Sequence, residues 1–559
     1  MQDMRARQSG RKIAPFLPSH YLPMSEQQTA IPPERGLTAA PDTSDTNHMP
    51  NVLPGAAADS ATSASKLLAA LKWAVSFPAM LGAMLVGLVF YHGRSFPVDH
   101  DLWWHIKVGQ DIFRTHHLPT SDPYSFTVFG SPWIAWDWLS DVAIGLVGKF
   151  GLQALDAFLI LLGSAIMLAL YYYAFLRSGN SKAAFVAVVL LSTFAFGNFN
   201  LRPQMFGYLF LVITLIALER FRQGHPRFLW LLPPLSLVWI NAHGSWVIGP
   251  CVILLALVCG LFEFRMNSVE VVRWTPKQRL QLELAFLGSL LVIPITPYGT
   301  QLAIRPFVAA SAIPLGVQNV MEWKPMPFEI AGGKLFLALL VGVFVLHTLY
   351  RFTFRLHEWI LALGGIVMAC LHVRFVLLFV PFFAPLFATM LARWIPAYDR
   401  PKDKFALNAV LMAGVALAML WHFPTLPDLQ EKVQRKFPSR AVAYLRTHPF
   451  RGPLFNTYGY GGYLVAFLPG HKVFIDGRED IYEFQGVMGD YIQATDLKPA
   501  AFWVLKSYDI RTCMLYRAEP LAIVLDNHPD WTRVYSDDSS IILVRKDSLD
   551  GTAASLAAR

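Results

Sequence analysis

Two carboxylates, two imidazoles and two indoles stand together in the run Asp99-His100-Asp101-Leu102-Trp103-Trp104-His105, directly after a long apolar stretch. Tryptophan at such a boundary is ordinary, because its amphipathic ring suits the headgroup zone of a bilayer. Acidic groups there are costly unless solvated or in use, so Asp99 and Asp101 are candidates for chemistry. A carboxylate can accept a proton from an incoming hydroxyl or amine. Alternatively it can hold a divalent cation such as Mg or Mn through hard oxygen ligands.

Further polar groups punctuate the apolar sequence. Asn198-Phe199-Asn200-Leu201-Arg202-Pro203-Gln204 follows one apolar run, and Asn241-Ala242-His243-Gly244-Ser245-Trp246 follows another. Tyr298, Glu322 and Trp323 lie in one long connection, and Leu371-His372-Val373-Arg374 ends a later run. Any one Arg or His at a span end is an ordinary interface anchor; several acid and base clusters on one face argue for a shared cavity. Arg202 and Arg374 suit a phosphate, because a guanidinium binds it bidentately and stays charged. Trp103, Trp104 and Trp136 suit a sugar face or the headgroups, and Gln204, His243, Glu322 and His372 complete the candidate substrate-binding set. A lipid-linked phosphosugar would lay its isoprenoid along the spans, its phosphate on the arginines and its sugar toward the loop carboxylates.

The elements that must position these groups are membrane spans. The 559 residues are 54% hydrophobic and only 15% charged, with a mean hydropathy of +0.41, whereas charged residues make up about a quarter of a soluble domain. Apolar runs near 68–91, 154–176, 183–198, 205–221, 228–241, 245–264, 281–297, 335–350, 356–371, 373–392 and 405–423 predict about eleven spans of a polytopic α-helical membrane protein. Residues 137–150 are shorter and carry Asp137, Asp141 and Lys149, which predicts a helix lying on the surface. Loops holding Arg177, Arg220, Arg265, Arg351 and Arg393 alternate with loops poor in Lys and Arg. That is the positive-inside pattern with a cytoplasmic N-terminus, so the net charge of +9 is no mark of nucleic-acid binding. Residues 1–66, rich in Ser, Thr, Ala and Pro, predict a disordered cytoplasmic tail. Residues 67–423 form the membrane module, with a first outer loop at 92–136, and 424–559 change to mixed charge and strand–helix alternation. That predicts an extracytoplasmic α/β domain with strands at Pro453–Tyr458, Tyr463–Leu468, Lys472–Asp476, Arg511–Tyr516 and Ser540–Arg545. Cys251, Cys259, Cys370 and Cys513 form no CxxC pair, so neither a disulfide framework nor a zinc knuckle is indicated.

The order of the motifs Asp99-His-Asp-Leu-Trp-Trp-His-Ile, Thr120-Ser-Asp-Pro-Tyr-Ser-Phe-Thr, Leu201-Arg-Pro-Gln-Met-Phe, Trp239-Ile-Asn-Ala-His-Gly and Phe474-Ile-Asp-Gly-Arg resembles a set of bacterial multi-span proteins of the GT-C superfamily. That superfamily of membrane glycosyltransferases includes protein O-mannosyltransferases, aminoarabinose transferases and the catalytic subunit of oligosaccharyltransferase. The resemblance spans roughly residues 70–545. It implies a polyprenyl-phosphate-linked sugar donor, an extracytoplasmic lipid, glycan or protein acceptor, and a place in the bacterial inner membrane with the C-terminal region periplasmic. It makes Asp101 or Asp99 the base or metal-site carboxylate. Asp101 is favoured, because it is nearer Trp103-Trp104 and can share a helix start with His105, the third candidate catalytic residue. The second acidic motif of the oligosaccharyltransferase subunit is absent: Asn200-Leu201-Arg202 stands in its place, which favours metal-independent transfer. No WWD-type acceptor motif is present, which counts against protein N-glycosylation.

Two other readings belong to different classes. A transporter or flippase would show paired repeats and ionisable groups at the bilayer midplane, and no clear repeat is seen. A non-catalytic envelope scaffold would have little use for the two acids, His105, Arg202 and Arg374. Asn456–Tyr463 lacks the Lys-Ser/Thr ending of a phosphate loop and is expected to form a strand–turn–strand corner. Asp476-Gly477-Arg478-Glu479-Asp480 is expected to be a salt-bridged turn, or else part of a lid over the cavity. His116-His117 has no partner at zinc spacing.

Overall fold

Every apolar run becomes a helix in the computed structural model, which describes residues 56–94, 99–312, 315, 321–450 and 452–548. Four helices are long and apolar enough to cross a membrane: Leu152–Ser178, Gln204–Arg222, Ala331–Tyr350 and the Val373–Leu391 segment. Two bent pairs, Ser65–Ala74 with Phe77–Gly93 and Phe405–Trp421 with Leu426–Lys436, raise the number to six if each pair is one span. Ser181–Ala195, Gly244–Cys259 and Leu356–Leu371 are apolar but shorter. The sequence count of about eleven treats every apolar run as one span. The helices formed by 228–241 and 281–297 are too short, or too charged at their start, to meet the length and composition of a span. Most of the predicted disordered tail lies outside the described residues, and its last part is already helical from Ala56.

The chain from Lys66 onward forms one compact unit. The Val376–Leu391 helix is its axis, with 78% of its apolar stretch buried, whereas Ala331–Tyr350 is peripheral, with 11% buried. Two polar ends bound the bundle. At one, Arg177 pairs with Glu358 at 2.5 Å and Arg355 with Glu219 at 2.5 Å. The strands β1 (Phe264–Met266), β2 (Val269–Val271) and β3 (Phe354–Arg355) make a small sheet there, β1–β2 antiparallel and β2–β3 parallel.

The other end carries two amphipathic helices of the first outer loop, Leu102–Thr115 and Trp138–Gly148. They touch backbone to backbone: a Cβ on Gly109 would fall 1.8 Å from the Asp141 carbonyl oxygen. Against them packs the C-terminal region. Its four strands, β4 (Leu454–Asn456), β5 (Thr512–Tyr516), β6 (Trp531–Ser536) and β7 (Ser540–Arg545), run in the order β4-β5-β7-β6. β4 is parallel to β5, and the remaining pairs are antiparallel. Two expected strands are corrected. Tyr463–Leu468 and the expected glycine corner lie within one helix, Tyr458–Phe467. Its glycines serve close packing instead of turning, since a Cβ on Gly462 would lie 2.6 Å from the His100 carbonyl oxygen. Lys472–Asp476 is no sheet strand; it bridges to the first loop, with Ser125 facing Val473 and Phe126 N–H donating to Val473 O at 3.0 Å.

Candidate active site

Arg202 is the hub of the polar end. It sits in the turn after the Ser181–Ala195 helix, just before Pro203 starts Gln204–Arg222. Its Nη2 lies 2.6 Å from Asp99 Oδ2, and its Nη1 lies 3.2 Å from Asp101 Oδ2 and 3.1 Å from Glu322 Oε1. One guanidinium thus draws together the first loop, the Asn198–Gln204 turn and the long connection after residue 297. The Asp99 carboxylate also accepts from the Asp101 N–H at 2.8 Å, which folds the loop back into the helix start.

The two aspartates differ in access. The Asp99 side chain is 4% exposed, that of Asp101 18% and that of Glu322 27%. Burial alone would raise Asp99, but the charge and hydrogen bond of Arg202 outweigh it and hold its carboxyl below the ordinary range. Burial dominates at Asp101; opposed by Arg202 and reinforced by Asp99, it pushes that carboxyl up to about 6. Asp101 Oδ1 accepts from Trp104 Nε1–H at 3.2 Å, and the Gly477 backbone closes its far side, where a Cβ would come 1.8 Å from Oδ1. A side chain at that position would displace the Asp101 carboxylate.

Behind Asp101 the Trp104 ring lies 3.6 Å, centroid to centroid, from His105. His105 Nδ1 is 2.6 Å from Asp141 Oδ1 in a buried contact. Burial pulls His105 down to about 4 and pushes Asp137 up to about 8, with Asp141 also raised well above the usual carboxylate range. Burial thus disfavours charge on all three groups, and among the described residues Asp137 Oδ1 and Asp141 Oδ2 are buried without a hydrogen-bond partner. Asp141 had been readable only as a charge in a short apolar helix; an acid on the face of that helix toward the first loop was the available signal.

The remaining candidates converge on the same end. Trp138 Nε1–H donates to Asn241 Oδ1 at 2.9 Å, and Ser140 Oγ–H to the Ala242 carbonyl at 2.7 Å, which ties the His243 turn to the loop helix. His243 Nδ1 lies 2.7 Å from Ser245 Oγ. His372 Nδ1 lies 2.5 Å from the Trp323 carbonyl oxygen, and the Arg374 guanidinium stacks on the Trp323 ring at 4.2 Å. Arg374 is half-buried and makes no ion pair among the described residues. Gln204 is buried at the start of its helix. Trp103 is occupied elsewhere: edge-on to Phe437, Tyr463 and Phe467, it anchors the loop helix to the C-terminal region and offers no face to a sugar.

The C-terminal region supplies groups that sequence reading did not place in the site. Glu479, raised by burial, accepts from Tyr458 O–H at 3.0 Å and feels the charges of Arg374 and Arg202. Arg478 is a buried clamp. It meets Asp476 through Nε at 2.8 Å and Nη2 at 2.6 Å, and Asp122 of the first loop through Nη1 at 2.5 Å. The Asp476-Gly477-Arg478 turn is thus salt-bridged as expected, and the same turn walls the recess around Asp101.

A divalent cation does not fit the aspartate pair as it stands. Asp99 and Asp101 both point at Arg202, so a fixed positive group already holds the position between them. No group of three or more metal-ligating side chains placed to hold a metal ion is found among the described residues, the acids around Arg202 included.

No family model and no curated protein matches the chain. Among solved structures it is similar to the Archaeoglobus fulgidus oligosaccharyltransferase tethered to an acceptor peptide containing the NVT sequon, with a TM-score of 0.45, 12% identity, and 78% of this chain and 68% of that chain covered. A structure of AglB from the same organism, in complex with an inhibitory peptide and a dolichol-phosphate, gives 0.44 and 12%, covering 78% and 69%. ArnT from Cupriavidus metallidurans, bound to undecaprenyl phosphate, gives 0.45 and 14%, covering 83% of this chain and 97% of that chain. The overlaps are partial in shape and low in identity, and the chemistry below follows from the residues just described.

Proposed function

We propose that this chain is an inner-membrane glycosyltransferase that moves a sugar from a polyprenyl-phosphate-linked donor to an extracytoplasmic acceptor. The observation that carries the reading is Asp101: a partly accessible carboxylate at a membrane-protein end, pushed up to about 6 with Glu479 among the charges acting on it, while Arg374 acts on that same Glu479. A carboxylate in that range is a workable general base near neutral pH. In this reading Asp101 takes the proton of the acceptor hydroxyl or amine as its heteroatom attacks the anomeric carbon. The bond from that carbon to the donor phosphate breaks on the opposite face, so configuration inverts. Arg374 holds the departing phosphate, with Trp323 fixing its plane, and His243, His372 and Gln204 line the approach. Counting Ser181–Ala195, Gly244–Cys259 and Leu356–Leu371 with the six longer segments gives up to nine membrane segments, with the N-terminus cytoplasmic and residues 424–559 outside.

The test is transfer by purified, detergent-solubilised protein, using radiolabelled polyprenyl-phosphate sugars and membrane extract as acceptor. Asp101→Asn keeps the shape but cannot take a proton, so transfer is expected to fall by about 10²–10⁴-fold with unchanged thermal unfolding. Wild-type transfer that survives in Asp101→Asn removes Asp101 from the role of base. No movement of label from any donor by folded wild-type protein overturns the reading.

A further inference from the structure

Asp99, Asp101 and Glu322 come from two separate stretches of chain and meet around a single point, and that point is the Arg202 guanidinium. Three hard carboxylates around one position are what a divalent cation seeks. Here they receive a planar cation that cannot dissociate. Its Nη2 serves Asp99 alone, while its Nη1 is shared by Asp101 and Glu322, a division that matches the fork of the side chain. Arg202 is itself anchored: its turn runs directly into the Gln204–Arg222 helix through Pro203, and its Nε is buried with no hydrogen-bond partner.

We infer that Arg202 is a built-in replacement for a divalent cation: a positioning residue that fixes Asp99, Asp101 and Glu322 and makes the site independent of metal. The inference deepens the glycosyltransferase reading but is tested without it. Asp99 stays ionised against the arginine and orients the loop through the Asp101 N–H. Asp101, with the longer contact and the greater exposure, keeps a lone pair for the proton it is to receive. No covalent step involves Arg202.

The experiment is Mn²⁺ binding by electron paramagnetic resonance on purified full-length protein, with no donor or acceptor present, so a chain that transfers no sugar still gives an answer. Wild type is expected to leave the spectrum of the free ion unchanged. Arg202→Ala opens the position among the three carboxylates and is expected to bind one Mn²⁺ per chain, and Arg202→Ala with Asp101→Asn is expected to lose it. In the transfer assay, a chelator should leave wild-type rates unaltered. Wild-type protein that binds one Mn²⁺ which Asp101→Asn abolishes overturns the inference, whether or not the Arg202 variant folds. A folded Arg202→Ala that stays free of Mn²⁺ overturns it as well.

Discussion

At the scale of single residues, neighbouring carboxylates have different environments. Asp99 is buried against Arg202, which holds its carboxyl below the ordinary range, Asp101 is partly open and raised to about 6, and burial raises Asp137 and Asp141 beside a lowered His105. If Asp101 must be ionised to act, transfer should rise with pH through about 6 and level off above it. Glu479 is one of the like charges that raise Asp101, so Glu479→Gln should move this rising limb to lower pH; a limb that stays in place separates Asp101 from Glu479. Much of this set could be read from sequence. Asp99, Asp101, Arg202, Glu322, His372 and Arg374 share one end because apolar period and loop charge assign each to the same side of the bilayer. The pairing of Arg202 with acids was not readable, because three carboxylates competing for one guanidinium is a matter of distances that motif order does not encode. Nor was the role of Trp103, since interfacial and core tryptophans have the same flanking sequence.

At the scale of elements, the helices followed their apolar runs closely, and a helix, Trp138–Gly148, forms within 137–150. Apart from the span count and the helical end of the tail, the departures fell in the C-terminal region, where local pattern and tertiary packing disagree. Tyr458–Phe467 is rich in Gly and Tyr, which reads as strand and turn, yet it is helical because the glycines let it lie on the first loop. β6 was missed because Trp531–Ser536 has a broken alternation, with an irregular register at Arg533/Tyr535. The joint between this region and the loop is a matter of buried charge. Arg478→Ala would strand Asp122 and Asp476 in a site where the arginine side chain is 1% exposed and both acids 0%. Removing one partner of a buried ion pair costs about 3–5 kcal/mol, so a lowered midpoint of thermal unfolding is expected, together with faster proteolysis near residues 470–480. An unaltered midpoint would mean that the loop and the C-terminal region hold together without the clamp.

At the scale of the whole molecule, the ion-paired end with Arg177, Glu219, Arg355 and Glu358 and the end with Arg202 lie on opposite sides of the apolar bundle. With the N-terminus cytoplasmic, single cysteines placed in an otherwise cysteine-free chain should react differently with an impermeant thiol reagent on intact spheroplasts. A cysteine at Lys498 should label from outside and one at Lys402 only after lysis; the reverse pattern would invert the orientation. The Arg478 clamp also has a temporal meaning. Asp122 and Arg478 are 356 positions apart, so the ribosome completes most of the membrane bundle before the second half of the clamp exists. Until those later residues are made, Asp122 of the first loop has no Arg478 to pair with. In the proposed reading the recess around Asp101 is complete only once residues 476–478 have been made, and a chain stopped after the Phe405–Trp421 helix would hold Asp99, Asp101 and Arg202 yet have no wall behind them.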